Sequence, residues 1–129
     1  MGTTNYELID MANALRIPNF YCCMCDELNN IEVNKPLNII CNIQTSNQTG
    51  SHWILAYISD EEKIFYCPFG SNIPNEIKNF LLHIDDMPIL TSDIQIQPFD
   101  SDECGLYCLL ILYLINKGNR FEDIVLDFK

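Results

Sequence analysis

The stretch Gln97-Pro-Phe-Asp-Ser-Asp-Glu-Cys104-Gly-Leu-Tyr-Cys108, with the apolar run Leu106 to Ile115 that grows out of it, decides how this chain folds. The run is broken only by the hydroxyls of Tyr107 and Tyr113 and the thiol of Cys108. A segment so apolar all round is a helix buried in a core, expected over about residues 101–117 and ended by Gly118. It falls well short of the ~20 residues that span a bilayer. A helix starting near Ser101 would aim its N-terminal N–H groups and positive dipole end at Cys104, which favours thiolate. Asp102 and Glu103 oppose that through adjacent negative charge, weakened by screening where they face solvent. A lone cysteine at the start of a core helix is more often a buried structural thiol. Its neighbours in space must decide.

Working back from this helix, Asp93 to Gln97 reads as a strand closed by Pro98. Pro74 to His83 reads as a helix with Pro74 and Glu76 in its first turn. His52–Ile58 and Lys63–Cys67 read as a hairpin joined by Ser59-Asp-Glu-Glu62, and Leu37–Ile43 as a further buried strand after the mixed, cysteine-rich residues 19–36. Thr45-Ser-Asn-Gln-Thr-Gly50 reads as a turn. Thr4 and Glu7 have capping-box spacing before Tyr6, Ile9, Ala12 and Leu15, which predicts a helix over 5–15, ended by Pro18. A last helix opens at Asn119, with Phe121, Ile124, Val125 and Phe128 on one face. The expected fold is one α+β domain over residues 1–129, a mainly antiparallel central sheet flanked by helices, with Cys104 at the N-terminus of a buried core helix.

With 129 residues, 48% of them hydrophobic, the chain can fill one core. Its opening Met1-Gly-Thr-Thr-Asn-Tyr-Glu7 lacks the basic and apolar regions of a signal peptide. Seven cysteines without such a signal point to a reducing compartment rather than a disulfide scaffold. The expected location is intracellular, in a host nucleus or cytoplasm, or in a virion. Net charge is −11, and the seven Lys and Arg are scattered, so no phosphate-binding stripe forms and nucleic acid is not expected as a main partner. No membrane segment is expected either. Cys22-Cys-Met-Cys25 contains a C-x-x-C spacing, but no second pair of ligands matches it, so small packed thiols account for it better than zinc, and no metal or other cofactor is expected.

Nucleophilic attack by a thiol on a carbonyl needs a base, a group to orient that base, and a donor for the developing oxyanion. Of the two histidines, His83 falls late in a helix near Asp85 and Asp86, where a solvated role suffices. His52 opens a strand after a glycine-containing turn, in Gly50-Ser-His52-Trp53, which places its imidazole at a sheet edge. Gln97 ends a strand seven positions before Cys104 (104 − 97 = 7), where its amide would serve as an oxyanion donor beside the Cys104 N–H.

The series His52-Trp53, Phe65-Tyr66-Cys67-Pro68-Phe69-Gly70, Gln97 and Cys104-Gly105-Leu106-Tyr107-Cys108 resembles the adenovirus maturation protease (adenain) family and its relatives in DNA viruses and self-synthesising transposons. It is more remotely similar to the SUMO proteases. The resemblance covers the chain from about residue 37 to its end. It implies a papain-like or adenain-like cysteine protease fold and a cysteine endopeptidase that matures capsid-type precursors. His52 would be the general base, Cys104 the nucleophile and Gln97 the oxyanion donor, with Ser51, Trp53 and Gly105 on the substrate side. The third catalytic position, a carboxylate in the family, is Cys67 here. A neutral thiol orients an imidazole weakly and cannot stabilise imidazolium as a carboxylate does. Asp60, Asp100 and Asp102 are other candidate acceptors. The implied partner is a protein or peptide substrate, with the need for an activating peptide left open. A ubiquitin-like-protein protease and a catalytically inactive protein-binding module stand as alternatives.

Overall fold

Thr4 and Glu7 cap the first helix, α1 (Asn5–Ala14), reciprocally: the Glu7 N–H donates to Thr4 Oγ1 at 3.2 Å and the Thr4 N–H to Glu7 Oε1 at 3.1 Å. The helix ends before Pro18 acts. Arg16 takes a left-handed φ of 58°, and the N–H groups of Arg16 and Ile17 return to the carbonyls of Asn13 and Ala12. That is a Schellman closure made with an arginine. The protein, a computed structural model, is described over residues 3–43, 52–98 and 102–128. The expected turn over residues 45–50 therefore lies outside the described residues.

Five strands follow one another in space as they do in sequence: β1 (Phe20–Met24), β2 (Leu37–Asn42), β3 (Trp53–Ile58), β4 (Lys63–Tyr66) and β5 (Ile89–Leu90). β2, β3 and β4 pair antiparallel, the last two as the expected hairpin, while β1 and β5 add parallel at the two edges. The α+β architecture is thus as read, with a mixed sheet. Side chains of the inner strands alternate between two cores. Ile40, Leu55, Tyr57, Ile64 and Tyr66 pack with α1, α3 (Cys104–Asn116) and α4 (Phe121–Phe128). Leu37, Ile39, Ile54, Ala56, Ile58 and Phe65 pack with α2 (Asn75–Ile84) and the 3-10 helix Cys25–Asn30. Burial on both faces explains why these strands read as unbroken apolar runs.

The helix α3 lies across the first of these cores with Cys104, Cys108, Ile111, Leu112 and Ile115 buried. Removing one fully buried side chain such as Leu112 would cost about 2–5 kcal/mol. It starts at Cys104, later than the expected Ser101, and ends in a Schellman closure on Gly118 at φ 97°.

The predicted strand over 93–97 is not one. The segment from Thr91 to Pro98 is irregular, and the N–H groups of Ile96 and Gln97 share a single carbonyl, that of Pro68, at 3.0 and 3.1 Å. The period-2 pattern is real, because Ile94 and Ile96 pack on the first core. The edge of β4 that they would have extended is occupied by β5 instead, and Tyr66 Oη ties the segment down by donating to the Ile94 carbonyl.

Candidate active site

His52 directly precedes β3, so its backbone is set by the sheet: its carbonyl accepts from Ile43 N at 3.1 Å as the β2–β3 ladder ends. Its ring lies flat on Phe69, with centroids 4.7 Å apart and planes 16° from parallel. Phe69 is put there by the turn after β4. In that turn Gly70 N–H donates to the Cys67 carbonyl at 2.7 Å, and Gly70 has φ 76°. A Cβ on Gly70 would stand 2.4 Å from the Asp93 carbonyl oxygen, so only glycine fits. The sequence contained this Pro-Phe-Gly block, but not the stacking it supports.

The other end of the imidazole meets sulfur. His52 Nε2 lies 3.0 Å from Cys67 Sγ, and Cys67 is buried at the end of β4. Asp60 is in the β3–β4 turn, at the far end of β3 from His52 and about 20 Å away at ~3.3 Å per residue. There it is exposed and pairs with Lys35 at 3.8 Å. Asp102 is exposed, as is Glu103, and Asp100 lies outside the described residues. Of the acceptors considered, Cys67 is the one seen at Nε2.

Cys104 occupies the first position of α3 and is buried. The backbone N–H of Trp53, the residue after His52, donates to Cys104 Sγ at 3.2 Å. One helical turn on, Cys108 Sγ donates to the Trp53 carbonyl at 3.6 Å. The first residue of β3 thus grips the first turn of α3 at both ends of its peptide units. The approach is close because Gly105 has no side chain: a Cβ there would lie 3.1 Å from both Leu8 Cδ1 and Trp53 Cδ1. Gly105, expected on the substrate side, is buried in this packing. Trp53 is half-buried, its Nε1–H donating to the Thr3 carbonyl at 3.2 Å. Ser51 lies outside the described residues.

Burial pushes the Cys104 thiol up, against the N–H groups of Trp53, Gly105 and Cys104 itself, which pull it down; a nearby Cys67 thiolate would push it further up. Burial also lowers the basicity of His52. The expected helix-terminal N–H groups are in place, yet the loss of water outweighs them, and for both groups burial favours the neutral form. Gln97 is fully buried, and its N–H bond to Pro68 O sets it beside the Cys67-Pro68 segment that carries the His52 contact. His83 is exposed on α2, which packs on the opposite face of the sheet. Cys22 and Cys25 go to opposite faces and do not converge, and among the described residues no group of three or more His, Cys, Asp or Glu is arranged to hold a metal ion.

A mixed five-stranded sheet between helices, with a thiol opening the central helix, is the papain-like or adenain-like protease fold. The pS273R protease of ASFV, in its selenomethionine crystal structure, has that fold and matches this chain with a TM-score of 0.66. Identity is 16%, and the match covers 96% of this chain. The chain spans 61% of that protease. No protein-family model matches the sequence, and no curated protein does.

Proposed function

We propose that this chain is a cysteine endopeptidase acting on capsid-type precursor proteins, with Cys104 as nucleophile and His52 as base. The observation that carries the reading is the junction of β3 with α3. Two consecutive residues supply the ring and the backbone donor: His52 stands between Phe69 and Cys67, and the Trp53 N–H holds Cys104 Sγ at 3.2 Å. In this reading His52 Nδ1, the ring nitrogen not engaged by Cys67, takes the Cys104 proton as the sulfur attacks the scissile carbonyl. The tetrahedral oxyanion accepts from the Gln97 amide and the Cys104 N–H. Collapse expels the amine, protonated by His52, and leaves a thioester on Cys104. Water, deprotonated by His52, then releases the acid and restores the thiol.

A second reading, a catalytically inactive module that binds peptides, is favoured by one observation. The Nε2 partner is a thiol, which can donate as well as accept and so does not fix the tautomer that leaves Nδ1 free. Incubation with a peptide library and with a peptidyl vinyl sulfone separates the two. The protease reading expects cleaved products and an adduct on Cys104, both lost in Cys104→Ala and His52→Ala. Peptide binding without cleavage or adduct in the wild-type chain overturns it in favour of the module. Cleavage confined to the Gly-Gly end of a folded modifier would move the substrate class to ubiquitin-like proteins.

A further inference from the structure

Four of the seven cysteines lie away from the site, on β1, β2 and the start of the 3-10 helix, and their placement singles out two. Cys23 in β1 and Cys41 in β2 are direct partners in the parallel register. Side chains of directly paired residues point to the same face, and both belong to the core formed with α2. Neighbouring strands lie ~4.8 Å apart, inside the ~4.4–6.8 Å Cα separation that a disulfide spans. The other two thiols are diverted. Cys22 faces the opposite core, and Cys25 Sγ donates to the Ile43 carbonyl at 3.3 Å.

Access differs within the pair in a useful way. Cys23 is half-buried, so a small oxidant reaches it, while Cys41 beside it is 1% exposed. The neighbouring Cys23 thiol, then burial, push the Cys41 thiol far up, and Cys41 Sγ donates to the Asn42 carbonyl at 3.4 Å. Cys41 is thus sheltered from the oxidant, and its direct register with Cys23, not its ionisation, is what places it to resolve an oxidised Cys23.

We propose that Cys23 and Cys41 form a reversible disulfide when the chain meets hydrogen peroxide, a modification site separate from the Cys104 centre. Cys23 sulfur attacks one peroxide oxygen, breaking the O–O bond; the expelled hydroxide takes the thiol proton and leaves as water, giving Cys23 sulfenic acid. Cys41 sulfur then attacks the Cys23 sulfur, and its proton departs with the displaced hydroxide as a second water. Two thiols are oxidised by two electrons and one peroxide is reduced to two waters. The bond joins adjacent strands already in register, so the sheet needs no new pairing to admit it. It stands whether or not the chain is a protease.

The test uses the intact chain, treated with one to five equivalents of hydrogen peroxide and quenched with iodoacetamide under denaturing conditions. Peptide mapping should find a Cys23–Cys41 linked peptide lighter by two hydrogens, absent after dithiothreitol. In Cys41→Ala the linked species should vanish, with Cys23 recovered as sulfenic or more oxidised acid; in Cys22→Ser it should persist. Recovery of Cys23 and Cys41 both alkylated, or of Cys23 joined to Cys22 or Cys25, overturns the proposal. Circular dichroism of Cys41→Ala and of the more conservative Cys23→Ser, which should abolish the link equally, keeps misfolding from passing as a positive result.

Discussion

His52 Nε2 and Cys67 Sγ lie 3.0 Å apart, so the imidazole is oriented by a thiol. A carboxylate at this place accepts only, fixing the proton on Nε2 and favouring imidazolium; a thiol serves as donor or acceptor with little preference.

Replacing Cys67 by aspartate is expected to supply both missing effects. Peptide cleavage, or failing that vinyl sulfone adduction at Cys104, should rise at pH 7 by about tenfold or more, mainly in kcat. Cys67→Ala should fall below wild type. If Cys67→Asp folds, by circular dichroism, and gains nothing, the orienting role of position 67 is wrong.

The free protein should show a late alkylation profile. With the Cys104 thiol raised by burial above its ordinary 9.0, the thiolate fraction is small at neutral pH. The rate of iodoacetamide modification at Cys104 should keep climbing with pH beyond 9, about tenfold per unit below the pKa. With His52 basicity lowered, no plateau from a thiolate–imidazolium pair should appear between pH 5 and 8. A plateau there, measured by mass spectrometry of Cys104 alone, would show a preformed ion pair.

Acid stability should hinge on Asp85. Lys63 is fully buried, with Nζ 2.6 Å from Asp85 Oδ1 and 2.6 Å from the Leu81 carbonyl, while Lys35 Nζ reaches Oδ2 at 3.3 Å. Lys63 first, then the Met87 N–H and Lys35, hold the Asp85 carboxyl at about 2, below its ordinary 3.8. A depressed carboxyl stabilises the fold above its ordinary value and loses that contribution as pH falls from about 4 through about 2. Asp85→Asn should melt several degrees lower at pH 7, with the gap to wild type closing toward pH 2. An undiminished gap at pH 2 would assign the effect to packing.

Two left-handed glycines should respond differently to alanine. At Gly118 nothing lies within 4 Å of the added Cβ, so only backbone strain remains, about 1–2 kcal/mol. At Gly70 the same strain is joined by a clash with the Asp93 carbonyl at 2.4 Å. Gly70→Ala should therefore unfold at clearly lower urea than Gly118→Ala, and should also slow cleavage, because that turn supports Phe69 under His52. Equal midpoints would mean that the turn shifts freely.

Local rules carried much of the fold. The Thr4–Glu7 box, the β3–β4 hairpin and the Gly118 stop depend on neighbours a few residues away, and each is present as read. Residues 93–97 misled because alternation reports facing, whereas strand identity depends on a partner, and Pro68 gives one carbonyl where a ladder needs a row. The partner of β1 was not legible, because its pairing with β2 is parallel and set by distant chain. At the site, residue identities marked His52, Cys67 and Cys104, but the state of the thiol depends on how deeply Leu8 and Trp53 close over Gly105. No spacing encodes that depth.

The Trp53 N–H that bonds to Cys104 Sγ makes one backbone amide a resident observer of the sulfur. In an 15N-labelled sample its resonance should move when Cys104 loses its proton, is alkylated or carries an acyl group, while the amide of Ile58 at the other end of β3 should stay in place. Titrating that single peak would follow the ionisation of the thiol without a substrate, and its hydrogen exchange would report how often the strand lets go of the helix.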